Sequence, residues 1–207
     1  MDAFTNKAAT LRAINETSAK PSRDEAEAAV RTLLAWAGDD PNREGLLDTP
    51  KRVTKAFGEW FSGYEGDAAA ILSRTFEEVS GYDDIVMLRN IEVQSHCEHH
   101  MAPFMGVAHV AYLPVDRVVG LSKIARLVEM FAKRLQTQEN LTAQITKAMM
   151  DELRPRGVAV MISAQHQCMS TRGVHHHDVD TITTRFDGVF KDCAEMRERF
   201  LRLAEKA

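Results

Sequence analysis

Residues 1 to about 20 are polar and aperiodic, which predicts a mobile arm. After them, Ala26, Val30, Leu33, Leu34 and Ala37 recur at helical spacing. Ser22 followed by Glu25 has the form of a capping box and marks the expected start of that helix. The segment "DDPNREGLLDTP" breaks it. Thr49 as N-cap, with Pro50 at the first helical position, predicts a second helix. Its apolar face, Val53, Ala56, Phe57, Trp60 and Phe61, reads as a core stripe. Near residue 84 the pattern changes. "DIVMLRNIEVQS" and, after "HCEHH", "FMGVAHVAYLP" predict two strands. From Ser122 to about Leu153 the period is helical again, with Ile124, Leu127, Val128, Phe131 and Leu135 on one face. The polar stretch "QTQEN" at 136–140 divides this region into two helices. "GVAVMISAQHQC" and the alternating "DTITTRFDGVF" predict a third and a fourth strand, and "CAEMRERFLRLAEKA" a closing helix.

This order predicts an α+β fold: N-terminal helices, then ββααββ as an antiparallel sheet with helices on one face. The expected divisions are an arm over 1–20, a helical region over 21–82 and an α+β domain over 83–207. The chain contains no internal repeat and no low-complexity segment.

Composition narrows the function classes. The chain has 207 residues, 44% hydrophobic and 27% charged, enough for a sizeable core. A net charge of -4 provides no global positive field for nucleic acid. No apolar run approaches the ~18 residues of a membrane span. "MDAFTNKAATLRAINE" lacks the basic start and apolar core of a secretory signal. Three cysteines, an odd number, argue against a disulfide framework. The expectation is a cytoplasmic protein with its cysteines as thiols.

"HCEHH" at 96–100 is the first candidate for chemistry. Cys97 and His100, separated by two residues, can aim at one point from a turn. Two ligands hold zinc poorly, and catalytic sites commonly use three plus water. Cys168, at the expected end of the third strand, is the best further candidate. His166, two residues earlier, would share its strand face. Cys97, His100 and Cys168 would leave one coordination position for a water, whose pKa zinc lowers to about 7. His99 and His166 beside it are suited to moving protons. Spacing alone leaves open a structural site in which His99 or His166 is the fourth ligand. Cys193 reads as an ordinary thiol, and the run His175, His176, His177 as a solvated loop.

A basic cluster could meet an anionic substrate. Ser122 reads as an N-cap, Lys123 and Arg126 lie on one side of the helix it opens, and a helix N-terminus suits phosphate. Arg172 follows Cys168 closely, and Arg52 lies in "TPKRV". Gln138 and Glu139 sit in the polar break. A carboxylate can accept two hydrogen bonds side by side, as the N–H pair on a guanine edge would require. An exposed helix junction is the simpler reading of that stretch.

The stretches "TPKRV" (49–53), "CEHHMAPFMGVAHVAYLP" (97–114), "GLSKIARLVE" (120–129), "RLQTQENLTAQI" (134–145), "HQCMSTRGV" (166–174) and "TITTRFDGVF" (181–190) together resemble the zinc-dependent type of GTP cyclohydrolase I. The resemblance covers nearly everything from residue 22 on. It implies Zn2+ held by Cys97, His100 and Cys168, with His99 and His166 catalytic. It implies that Glu139 anchors guanine and that Gln138 lies beside the reacting base and ribose. It further implies that Ser122, Lys123, Arg126 and Arg172 lie near the ribose and triphosphate, joined by Arg52 from a neighbouring subunit. The implied fold is the tunnelling fold, assembled into a toroidal homodecamer with active sites between subunits. The implied reaction converts GTP and water to 7,8-dihydroneopterin triphosphate and formate. Two competing readings are a zinc-free nitrile reductase on the same fold and a non-enzymatic, zinc-stabilised binding module.

Overall fold

The computed structural model describes residues 20–76 and 82–205. All but the last residue of the expected arm therefore lies outside the described residues. The chain divides into two compact units, Met1–Gly58 and Glu59–Ala207.

In the first unit, α1 spans Arg23–Trp36. Its capping box is formed: the Ser22 hydroxyl accepts from the Glu25 backbone N–H, and the Glu25 carboxylate accepts from the Ser22 N–H at 2.7 Å. A 3-10 turn at Glu44–Leu46 precedes α2, Thr49–Trp60, which crosses into the second unit. Thr49 is already helical and Pro50 is the second helical residue, one position from the expectation. The core-stripe expectation for α2 holds only in part: Val53, Ala56 and Phe61 are half-buried, whereas Phe57 and Trp60 are exposed.

In the second unit, a 3-10 turn at Ser62–Glu65 and a short helix α3, Ala68–Leu72, lead to β1, Thr75–Phe76. The strands β2 (Val86–Cys97) and β3 (Pro103–Leu113) form the first antiparallel pair. After β4, Val118–Val119, which pairs with β1, come α4, Leu121–Ala132, the two-residue β5, Leu135–Gln136, and α5, Gln138–Leu153. The strands β6 (Gly157–His166) and β7 (Asp180–Gly188) form the second pair, separated by a helical turn α6, Gln167–Ser170. Another turn, α7 (Val189–Asp192), and a closing helix α8, Ala194–Glu205, complete the unit. The sheet order is β5-β2-β3-β6-β7, antiparallel except for β5 against β2. The expected ββααββ order is therefore present.

Alternation along the strands divides the core in two. Phe104, Val110, Tyr112, Val158, Val160 and Ile162 face α4 and α5, against Ile124, Leu127, Val128, Leu141, Ile145 and Met149. Each such fully buried side chain contributes roughly 1.5–3 kcal/mol by leaving water. The neighbouring strand positions Ala111, Leu113 and Ala159 join Phe190 and Phe200 in a second cluster. The second sheet face is thus partly covered by the closing helix, although helices were expected on one face. Two glycines are dictated by close approach. A Cβ on Gly106 would lie 2.0 Å from the Ser163 carbonyl oxygen on β6. Gly188, at φ +56, would set one 2.2 Å from the Arg156 carbonyl oxygen.

Three local expectations are corrected. The break between the long helices falls at Lys133–Thr137, because Leu135 and Gln136 pair in parallel with His96 and Cys97. Gln138 and Glu139 therefore open α5, with Thr137 as N-cap accepting from the Asn140 N–H. Ser122 is not the cap of α4. Gly120 is, its carbonyl accepting from the Lys123 N–H at 2.8 Å. The third strand ends at His166, and Cys168 lies in the helical turn beyond it.

Candidate metal centre and active site

The turn between β2 and β3 is closed by its own backbone. The Cys97 N–H donates to the Ala102 carbonyl and the Met101 N–H to the Cys97 carbonyl, each at 2.8 Å. Met101 takes a left-handed φ of 55° to allow this. The Glu98 N–H bonds the Gln136 carbonyl at 3.0 Å, pinning the turn to β5. The β3–β6 register sets Phe104 opposite His166, so the turn after β6 arrives beside the turn after β2.

That convergence gathers Cys97, His100 and Cys168. Their ligand atoms all lie within 4.8 Å of one another, with His100 Nδ1 3.8 Å from Cys97 Sγ. Among the described residues they are the one cluster of at least three His, Cys, Asp or Glu side chains close enough to hold a metal ion. Two sulfurs and an imidazole nitrogen suit zinc, whose bonds of about 2.0–2.3 Å can be reached from such a spacing. Burial and the adjoining Cys97 push the Cys168 thiol up, while the Arg172 charge draws it down. A bound cation would reverse the balance and favour the thiolate. The predicted face shared by Cys168 and His166 is not what unites them. The helical turn redirects Cys168, and the β3–β6 register brings it to Cys97.

Around the cluster, Arg172 donates from Nη1 to His100 Nε2 at 3.1 Å. His99 is exposed beside it, with Nε2 3.9 Å from a Glu98 carboxylate oxygen. His166 stacks on Phe104, with ring centroids 4.4 Å apart and planes 10° from parallel. Burial lowers the His166 pKa, and the nearby Glu139 carboxylate opposes that shift. Glu139 is exposed in the first turn of α5, whereas Gln138 is 1% exposed. The Gln138 Oε1 lies 2.8 Å from His166 Nε2. Its amide nitrogen donates to the Ile162 and Thr181 carbonyls and faces Thr183 Oγ1. Phe104, Thr142 and Thr183 belong to this group but did not stand out in the sequence.

The basic residues divide. Arg172 adjoins the cluster. Ser122 and Lys123 lie in the first turn of α4, and Arg126 one turn further on. Val119, just before α4, donates to the Tyr112 hydroxyl, and Tyr112 pairs with Val86 at the start of β2. The end of α4 leads to Leu135 and Gln136, beside His96 and Cys97 at the end of β2. Ser122 therefore stands about 15 Å of helix away from the end nearest the cluster, at 1.5 Å per residue. Arg126 lines a separate open groove of about 410 Å³ with Ile91, Glu92, Gln94, Glu129 and Lys133. Arg52 belongs to the other compact unit and pairs with Asp48 at 3.5 Å. His175, His176 and His177 are exposed, and Cys193 is a half-buried free thiol.

The profile of the family described as GTP cyclohydrolase I matches residues 26–205. The chain belongs to the GTP cyclohydrolase I family. Relatives named GTP cyclohydrolase 1 match along most or all of their length. That of Maricaulis maris is 64% identical over 207 residues, 100% of both chains. That of Hyphomonas neptunium is 64% identical over 203 residues, 98% of both chains. That of Allorhizobium ampelinum is 57% identical over 197 residues, 95% of this chain and 98% of the relative. A GTP cyclohydrolase I is a hydrolase of the first step of pterin and folate synthesis.

Proposed function

We propose that the chain converts GTP and water to 7,8-dihydroneopterin triphosphate and formate at a zinc centre held by Cys97, His100 and Cys168. The observation that carries this reading is the convergence of these three ligands beside His99, His166, Glu139 and Arg172 in a member of this family. When bound, zinc supplies Lewis acidity for hydrolysis at C8 of the purine. The Glu139 carboxylate accepts the paired N–H groups of the guanine edge. Arg172 binds the triphosphate by charge-assisted hydrogen bonds. His99 and His166 move protons as the imidazole ring opens, C8 leaves as formate, and the ribose opens, rearranges and closes onto the base as a pterin ring. Gln138 belongs to the same machinery.

The site is completed by other copies of the chain. Ser122 and Lys123 open α4, remote from the helix end that leads to the metal centre, and Arg126 faces a separate groove. A second copy brings them, and Arg52 of a further copy joins the triphosphate. The unpaired length of β2 and the edge strand β7 offer backbone for such assembly, supporting a closed homo-oligomer and, in our reading, a toroidal decamer. The catalytic domain is residues 83–207, preceded by the helical region 21–82, and the protein acts in the cytoplasm. No helix among the described residues is long and apolar enough to cross a membrane, and neither nucleic acid nor membrane has a part in the reading.

His99→Ala separates a catalytic from a structural centre. Zinc content stays at wild-type level and formate release from GTP falls about 100-fold or more. Loss of zinc and stability together would instead make His99 a fourth ligand and the centre structural.

A further inference from the structure

We propose that Thr142 and Thr183 are positioning residues for the hydrolysis. Through the Gln138 amide they hold His166 in one ring orientation and one tautomer, with hydrogen on Nε2. The inference rests on the reading of His166 as a proton-transfer residue.

The hydrogen-bond directions follow from groups that can only accept. One terminal atom of the Gln138 amide lies 3.0 Å from the Ile162 carbonyl oxygen and 2.8 Å from that of Thr181. A flipped amide would set oxygen against both carbonyls, so this atom is the nitrogen. Oε1 is thereby turned to His166 Nε2 at 2.8 Å, and that nitrogen must donate. The threonines lock the arrangement from behind. Thr142 Oγ1 lies 2.7 Å from the Gln138 backbone carbonyl, which only accepts, so the Thr142 hydrogen is committed there. The 2.7 Å contact between the two hydroxyls then runs from Thr183 to Thr142. Thr183 Oγ1 in turn faces the Gln138 amide nitrogen at 3.1 Å and shares, in a three-centre bond, one of the two amide hydrogens directed at the carbonyls. Neither hydroxyl is free to rotate.

The centre of the circuit is buried, with Gln138 1% and Thr142 2% exposed, while Thr183 and His166 at its ends are half-buried. In such surroundings a misdirected polar group is costly, so the network holds one arrangement. Phe104, stacked on the imidazole, resists tilting of the ring. Because Nε2 keeps its hydrogen against Oε1, Nδ1 is the ring nitrogen available to exchange a proton with substrate. Gln138 thus acts through His166, and the two threonines, one on α5 and one on β7, act through Gln138.

Thr142→Val and Thr183→Val remove each hydroxyl at nearly constant shape, and the serine variants restore it. In the full, zinc-loaded assembly, each valine variant is expected to lower kcat for formate release about 10-fold to 100-fold. KM for GTP, zinc content and oligomeric size stay unchanged, and serine recovers most of the rate. In a His166→Ala background, valine has no further effect on the residual rate. Wild-type kcat in both valine variants overturns the positioning role while leaving His166 catalytic. An equal further loss in the His166→Ala background, or a loss of zinc or assembly that serine does not repair, makes the threonines merely structural. If His166→Ala itself keeps wild-type turnover, the reading of His166 fails first and the proposal falls with it.

Discussion

Three side chains decide whether the site holds a metal. Cys97 and Cys168 must lose their protons to bind, and burial holds the Cys168 thiol up when no cation opposes it. Zinc retention therefore falls as pH falls. Equilibrium dialysis against a competing chelator should show release beginning at a higher pH in His100→Ala than in wild type. Equal release at every pH would remove His100 from the ligand set. The triple histidine behaves differently. Its members are exposed, and the metal cluster does not include them. His176→Ala/His177→Ala is expected to keep zinc content and formate release within about twofold of wild type, as surface changes usually do; a loss of turnover with zinc intact would contradict this. The cluster of Cys97, His100 and Cys168 was legible because Cys-x-x-His with a distant Cys is a chemical pattern. Thr142 and Thr183 were not, because a threonine on a helix face or an alternating strand reads as packing. Their role depends on a carbonyl and a hydroxyl that only the fold brings within reach.

The elements were legible where the hydrophobic period is long and regular. The four long strands and both long helices follow it to within a few residues. The misses occur where tertiary pairing overrides local pattern. β5 is two residues long and exists because His96 and Cys97 offer it a partner. Cys168 leaves the expected strand because α6 turns the chain toward Cys97. The core between α5 and the sheet gives a stability prediction. Ile145 is fully buried there, and Ile145→Ala should cost about 2–5 kcal/mol in chemical denaturation at fixed protein concentration. A cost well under 1 kcal/mol would mean that this layer is not packed as described. β3 adds a pH dependence. His109 is 5% exposed, and its Nδ1 has no hydrogen-bond partner among the described residues. Burial, with the Arg89 charge adding to it, holds its pKa below the ordinary value. The unfolded chain therefore takes up the proton first as pH drops below about 6.5, and stability declines from there toward the folded pKa. His109→Phe should show a smaller loss of stability between neutral and mildly acidic pH. An undiminished loss would assign the effect to other histidines.

At the scale of the whole molecule, one chain gathers Cys97, His100 and Cys168, and the proposed site draws its remaining parts from other copies. The metal centre closes β2, whereas the start of α4 follows β4 near the other end of that strand, with Arg126 between them beside Gln94, an arrangement that motif spacing could not reveal. Phe57 and Trp60 on α2 likewise read as core because periodicity reports an apolar face, not what covers it. Assembly across copies predicts complementation. Cys168→Ala and Arg126→Ala are each expected to be inactive alone, and co-assembly should restore about a quarter of the sites if the two halves come from different copies. No recovery in verified mixed rings would put both halves in one chain. The most direct test of the function is formate release from GTP by the purified, zinc-loaded assembly, with Cys168→Ala as control. The expected result is one formate per GTP together with a pterin that fluoresces after oxidation, both lost in the control. A correctly assembled, zinc-replete protein that releases no formate, or a Cys168→Ala variant that releases it unchanged, would contradict the proposed reaction at this centre.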